Sequence, residues 1–297
     1  MTIWLGCGKS VSEILIEYDL KVQHSNTNLP RIWWIGTGLA SSMPFHAAGD
    51  HSPRSEKNVF NRAISSYSPS IKALSYSRER LRLGKRKTHG ESMLLATMTT
   101  TPGLPTLPGV EFEKEAILKV IPAHVKPQVY EHPNAGCIIQ SLEHCSIAHF
   151  ACHGLSDYTD PSKTGLVFQK KDETGCLVRD VMSVHDVSEL RLERARVAYL
   201  SACSTAENGA AKLRDEVIHV VSGFQVAGFA HVVGCLWPSE DAVRVEVAKE
   251  FYGALFKEGA EMDDKGIAMA LHVAVRAARK IDWNQPLKWA QFVHYGT

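Results

Sequence analysis

Two apolar segments of the sequence run into the residues of a base and a nucleophile. SIAHFACHG, residues 146–154, reaches His153 and then Gly154, and RVAYLSACS, residues 196–204, reaches Cys203 and then Ser204. In open α/β sheets the working crevice lies beyond the carboxyl ends of the strands. If these two strands are adjacent and parallel, both side chains arrive at one rim, which is the geometry thiol catalysis needs. A cysteine thiol is an intrinsically strong nucleophile but is mostly protonated near neutral pH. It therefore wants an imidazole nearby to take its proton and later protonate a leaving amine. Backbone N–H groups must also face the developing oxyanion, and Gly154 lets the main chain come close without a side chain in the way.

Other chemistries fit these residues less well. The group His144, Cys145, His149, Cys152 and His153 suggests zinc, but strand alternation sends Cys152 to the face opposite His149 and His153, and no C-x-x-C pair completes a set. The same alternation places His149 and His153 on one face, with His149 a packed or orienting residue. GCGKS at 6–10 ends like a phosphate-binding loop, yet Ile3 stands where that pattern needs glycine and no strand precedes it. No G-x-S-x-G motif is present, which argues against a serine hydrolase of that type. Zinc is therefore not expected at the His144–His153 cluster.

Composition sets the frame. The chain has 297 residues, 44% hydrophobic and 22% charged, enough for two average domains or one large α/β domain. Its 33 Lys and Arg against 32 Asp and Glu leave a charge of +1, so no global field favours nucleic acid or an anionic membrane surface. The basic stretch Arg78–Lys87 reads as a solvated helix end. No apolar run approaches the roughly 20 residues that span a bilayer, and no secretory leader is visible. Seven cysteines, several inside apolar segments, fit free thiols in a reducing, cytoplasmic setting.

The elements that must position the pair follow from periodicity. Residues 1–28 read as an amphipathic helix, the end of an upstream helical region. RIWWI, 31–35, reads as a buried strand; another lies near Phe60, a helix starts at Ser70, and MLLATM, 93–98, is a further buried strand. Pro102, Pro105 and Pro108 mark a fixed, non-helical crossing before a helix over 111–121. From residue 128 the order is strand 128–132, helix 136–143, the His153 strand, a hairpin with its turn at KKDETG, a helix from Ser183, and the Cys203 strand. A helix over 215–227, a strand at 231–237, helices over 241–257 and 264–280 and a last strand at 290–296 complete it. Strands alternating with helices imply βαβ units: an α/β fold with a mostly parallel central sheet and helices on both faces.

HFACHG (149–154) and YLSACST (199–205) resemble the His-bearing and Cys-bearing motifs of CHAT domains, a branch of the caspase-like cysteine peptidases of clan CD that includes relatives of separase. His153 and Cys203 are 50 residues apart, as the corresponding pair is in caspases. LPRIWWIGTG, SMPFHAAGD, TTPGLPTLPGVEFEKEAI, GFAHVVGCLWPSEDA, FYGAL and PLKWAQFVHYG also resemble fungal CHAT sequences, so nearly the whole chain is covered.

The resemblance implies a caspase-like three-layer αβα sandwich. Residues 29–109 would be the degenerate N-terminal flank and residues 110–297 the catalytic part. His153 and Cys203 would form the dyad of an endopeptidase, with the backbone N–H groups of Gly154 and Cys203 as oxyanion hole. Separase relatives favour a basic residue before the cut, for which Asp215 and Asp241 are the pocket candidates, with Glu216 and Glu240 as further choices. The implied partners are a protein or peptide substrate and upstream tetratricopeptide or other helical repeats, or a regulatory protein. No metal or organic cofactor is implied. The segment Leu155–Gly175 and the stretch from Thr205 to Glu216 depart from the common CHAT forms. A catalytically silent CHAT module used for docking or assembly is the alternative.

Overall fold

The structure, a computed structural model, describes residues 2–3, 29–52, 55, 57–84, 92–157, 159–202, 219–258 and 262–297. Its elements in chain order are β1 (Thr2–Ile3), β2 (Arg31–Trp34), β3 (Gly49–Asp50), β4 (Ile64–Tyr67), α1 (Ile71–Gly84), β5 (Met93–Thr97), α2 (Gly109–Val120), β6 (Gln128–Glu131), α3 (Ala135–Leu142) and β7 (Ile147–Ala151). There follow β8 (His153–Leu155), β9 (Gly165–Lys171), β10 (Leu177–Ser183), α4 (Val184–Ser188), β11 (Val197–Leu200), α5 (His219–Ala227), β12 (His231–Cys235), α6 (Asp241–Leu255), α7 (Asp264–Ile281), α8 (Pro286–Trp289) and β13 (Phe292–Gly296).

Eight strands form the central sheet in the order β2-β4-β13-β12-β11-β7-β5-β6. Every pairing is parallel except β12 with β13. The sheet is therefore two parallel halves of opposite direction, meeting at β12/β13. The central strands are apolar on both faces, as expected of a sheet covered on both sides. Alternate residues serve the two cores: Leu94, Ala96, Ala148, Phe150, Ala198, Leu200 and Val232 face one. Met93, Leu95, Ile147, Val197, Tyr199, Val233 and Cys235 face the other. The first core is closed by α3, α4, α5 and the inner faces of β9 and β10. The second is closed by α2, α6 and α7. This is the expected three-layer α/β sandwich.

Local chemistry explains where the helices begin. Asn134 Oδ1 accepts the Cys137 N–H at 2.8 Å, starting α3. Ser183 and Asp186 form a reciprocal capping box that starts α4. For α7, the cap is Asp263, whose carboxylate accepts the Gly266 N–H at 2.6 Å.

Several expectations need correction. Thr2–Ile3 pair with Gly49–Asp50 as strands, so a helix does not begin at Met1; the rest of the expected first helix, residues 4–28, lies outside the described residues. The strand at 31 is an edge strand and only half-buried, because β4 covers one side alone. The strand expected near Phe60 is instead Ile64–Tyr67; Phe60 sits in a turn and packs against His272 with ring centroids 4.4 Å apart. Most important for the site, SIAHFACHG is not one strand. The central-sheet strand ends at Ala151, Cys152 is buried at the turn, and His153 opens β8 in a second sheet. His149 and His153 therefore do not share a strand face. Past Ala151 the chain leaves the central sheet and β8 pairs with β9, opposing His153 to Val167.

The second sheet, β10-β9-β8, is antiparallel and grips the proline-rich loop between β5 and α2. Arg179 on β10 donates from Nε to the Pro102 carbonyl at 2.8 Å and from a terminal nitrogen to the Gly103 carbonyl. Gly103 has φ +68, a conformation that calls for glycine. Within the loop Leu104 N–H bonds the Thr101 carbonyl and Leu107 N–H the Thr99 carbonyl. His132, at the end of β6, holds Thr99 Oγ1 at 2.9 Å through Nε2. Among the described residues no helix is long and apolar enough to cross a membrane.

Two measurements check this account. Arg179→Ala removes two charge-assisted bonds from the loop, so amide exchange at Leu104 and Leu107 should quicken about tenfold; unchanged exchange would show that the prolines hold the loop unaided. Burial pushes His46 and His272 from 6.5 down to about 3. Above pH 6.5 both are neutral folded or unfolded, while below it only the unfolded chain takes up their protons, so stability falls as pH drops. Each contributes about 1.4 kcal/mol per pH unit across that window. Chemical denaturation between pH 7 and 4 should show this slope, and His272→Phe should flatten it by about one proton; an equal slope in the variant contradicts the assignment.

Candidate active site

The site is built by register. Strands β7 and β11 are adjacent and parallel, with Ile147 opposite Val197 and Phe150 opposite Leu200, an offset of 50 residues. His153 and Cys203 are separated by that same 50 residues, so the two chains leave the sheet side by side with His153 two residues past β7 and position 203 three past β11. The Ser201 N–H still bonds the Phe150 carbonyl at 2.8 Å, which carries the ladder to the rim. Cys203 itself and Asp215 lie outside the described residues.

His153 is partly exposed, and its Nε2 is 2.8 Å from the Pro105 carbonyl. A carbonyl only accepts, so Nε2 carries the proton and Nδ1 is left with its lone pair. Gly154 follows in β8 opposite Leu166. The proline loop thus fixes both the orientation and the tautomer of the imidazole. Pro105 belongs to the expected degenerate flank, residues 29–109, and its carbonyl is nonetheless in direct contact with the expected base.

Asp241 begins α6 and has both carboxylate oxygens engaged. Oδ2 accepts the Gly109 N–H at 3.0 Å, and Oδ1 pairs with the Arg244 guanidinium. The contact supplies an acceptor to the first N–H of α2, which Pro108 has no side chain to cap. It also needs glycine at 109, where a Cβ would meet the Asp241 carboxylate at 2.5 Å. Asp241 therefore joins two helices.

Beneath the rim lies a polar cluster that the sequence reading missed. Glu113 on α2 is 1% exposed and accepts the Ser201 hydroxyl at 2.9 Å through Oε2. Its Oε1 faces His149 Nε2 at 3.3 Å, an ion-pair distance, and His149 Nδ1 lies 3.1 Å from the Tyr252 hydroxyl. His149 is fully buried and stacks on Tyr199 at 4.8 Å. Burial first, with the Glu113 carboxylate adding to it, raises the Tyr199 and Tyr252 hydroxyls well above their ordinary range, so both stay protonated. The signal was present in the sequence: Val110, Glu113 and Ile117 occupy one helical stripe, and the middle member of that stripe is charged.

The cysteines separate by environment. Burial pushes the Cys145 thiol up to about 12, which makes it inert. Cys152 and Cys235 are also buried, and no described cysteine forms a disulfide. No group of three or more His, Cys, Asp or Glu among the described residues is arranged to hold a metal ion, so the His144–His153 cluster does not converge.

Known structures share this architecture. The arginine-specific cysteine proteinase gingipain R aligns with 99% of this chain and 67% of its own at 11% identity, TM-score 0.60. A complex of pro- and mature domains of RgpB from Porphyromonas gingivalis aligns over 99% and 69% at 10% identity, TM-score 0.58. Separase, solved with securin from Saccharomyces cerevisiae, aligns over 89% of this chain at 14% identity, TM-score 0.57; the matched region is 15% of the separase chain. At these identities the likeness is one of fold, the caspase-like fold of cysteine peptidases. No curated protein sequence matches significantly. The sequence matches the CHAT domain over residues 6–297, and with the sheet and rim described above the chain belongs to the CHAT domain family.

Proposed function

We propose that the protein is a cysteine endopeptidase acting through His153 and Cys203. The observation that supports this reading is the register of β7 and β11, from whose ends the chain continues to His153 and to Cys203, together with the imidazole tautomer set by Pro105. Cys203 Sγ gives its proton to His153 Nδ1 and attacks the scissile carbonyl, forming a carbon–sulfur bond. The oxyanion is stabilised by the N–H groups of Gly154 and Cys203. Collapse breaks the C–N bond, and the proton held on Nδ1 leaves with the amine. Water, deprotonated by the same nitrogen, then hydrolyses the thioester and returns the thiol.

The substrate is a polypeptide. Gingipain R is described as arginine-specific, and a carboxylate in the pocket of this protein would select a basic residue in the same way. Asp215 is our candidate, since both oxygens of Asp241 are already engaged. Control by a second polypeptide, whether upstream helical repeats or a separate protein, accords with separase having been solved with securin and RgpB with its pro-domain.

Mass-spectrometric profiling of new protein termini, in a reduced proteome treated with wild type, Cys203→Ala or His153→Ala, tests this reading. Wild type alone should generate cuts, with Lys or Arg before them, and either substitution should lower their yield by at least about a hundredfold. Identical termini in all three samples would instead favour a docking module.

A further inference from the structure

The mechanism leaves several buried ionisable groups unused, and Glu113 is the one bonded to the end of β11. Glu113 sits in the apolar stripe of α2 between Val110 and Ile117, where a hydrophobic residue of similar volume would cost less. A buried carboxylate held at such a cost is a candidate for a positional task. Its partner is Ser201, the last residue but one before Cys203. Four residues earlier, Gly109 is fastened to Asp241 at the start of α6, and four before that, Pro105 holds His153.

We propose that the continuous segment Pro105–Glu113 is a gauge that sets the spacing of the two catalytic side chains, with Glu113 as its positioning residue for the nucleophile. One end of the segment orients His153 through a carbonyl at 2.8 Å. The other fixes the exit of β11 through a hydroxyl bond at 2.9 Å. Helix α2 carries Glu113 and is anchored at its first residue, Gly109, by Asp241. The His149 imidazole, whose Nδ1 lies 3.1 Å from the Tyr252 hydroxyl, faces the second oxygen of Glu113 at 3.3 Å, while Oε2 takes Ser201. An error of about 1 Å in such a spacing costs up to about a hundredfold in rate while hardly touching substrate affinity.

The inference rests on the peptidase reading, and its test separates the two. Peptide cleavage is measured for wild type, Ser201→Ala, Glu113→Leu and the double variant, after melting curves establish that each is folded. Both single variants should lose roughly 10- to 100-fold in kcat with KM within about twofold, and the double variant should lose no more than the worse single one, because the two residues act through one bond. Wild-type kcat in Ser201→Ala, or losses that multiply in the double variant, overturns the gauge. Should Glu113→Leu not fold, Ser201→Ala decides alone. Should wild type not cleave, the peptidase reading fails by itself. The gauge is then read from alkylation of Cys203 by iodoacetamide, about tenfold slower in Ser201→Ala if Glu113 sets its position and unchanged if it does not.

Discussion

The register of β7 against β11 is the constraint on which the rest depends. Parallel strands cannot slip by one residue without exchanging the faces they present, and here both faces are buried in separate cores. Ala148, Phe150, Ala198 and Leu200 commit one face, and Ile147, Val197 and Tyr199 the other, so the offset of 50 residues is locked by packing on two sides. The chain after β7, which carries His153, and the chain after β11 thereby leave the sheet from adjacent strands.

The remaining contacts refine it. Three ties from one loop and helix reach the exits of β7, β11 and β12: Pro105 to His153, Glu113 to Ser201, and Gly109 to Asp241 just after the loop that follows β12. All three are hydrogen bonds at ordinary distances; the Ser201–Glu113 bond is buried and the Gly109–Asp241 bond partly so, where leaving either partner unpaired is costly. A small antiparallel sheet secures the loop from the far side through Arg179. The proline loop and α2 thus bind the rim together, although most of the mass of the fold lies elsewhere.

Much of this was legible from residue patterns, and the failures have physical causes. Apolar runs gave β5, β7, β11 and β12, since strands buried on both faces need no alternation to be recognised. Periodicity placed the starts of the helices expected at 136 and 264 within one residue, and the helix start at Ser183 was visible because capping is a local matter. The break at Cys152 was not, because an apolar run does not reveal when it passes from one sheet to another. Nor was the role of Pro105: its side chain signals a fixed turn, but the working group is a backbone carbonyl, which every residue carries. Glu113 could have been noticed as a charge in an apolar stripe, but its partner lies 88 residues away. Asp241 was visible as a carboxylate at a helix start and its engagement by Gly109 was not, since that contact is tertiary.

Thiol catalysis in this protein requires that His153 activate Cys203. The most direct measurement is the pH dependence of iodoacetamide alkylation at Cys203 in wild type and in His153→Ala, with the buried Cys145 and Cys152 as internal references. We predict that Cys203 in wild type reacts well below the ordinary thiol range near pH 8.5 and faster than either reference, and that His153→Ala returns it to that range. A Cys203 profile that is ordinary in wild type and unmoved by His153→Ala would contradict the pairing.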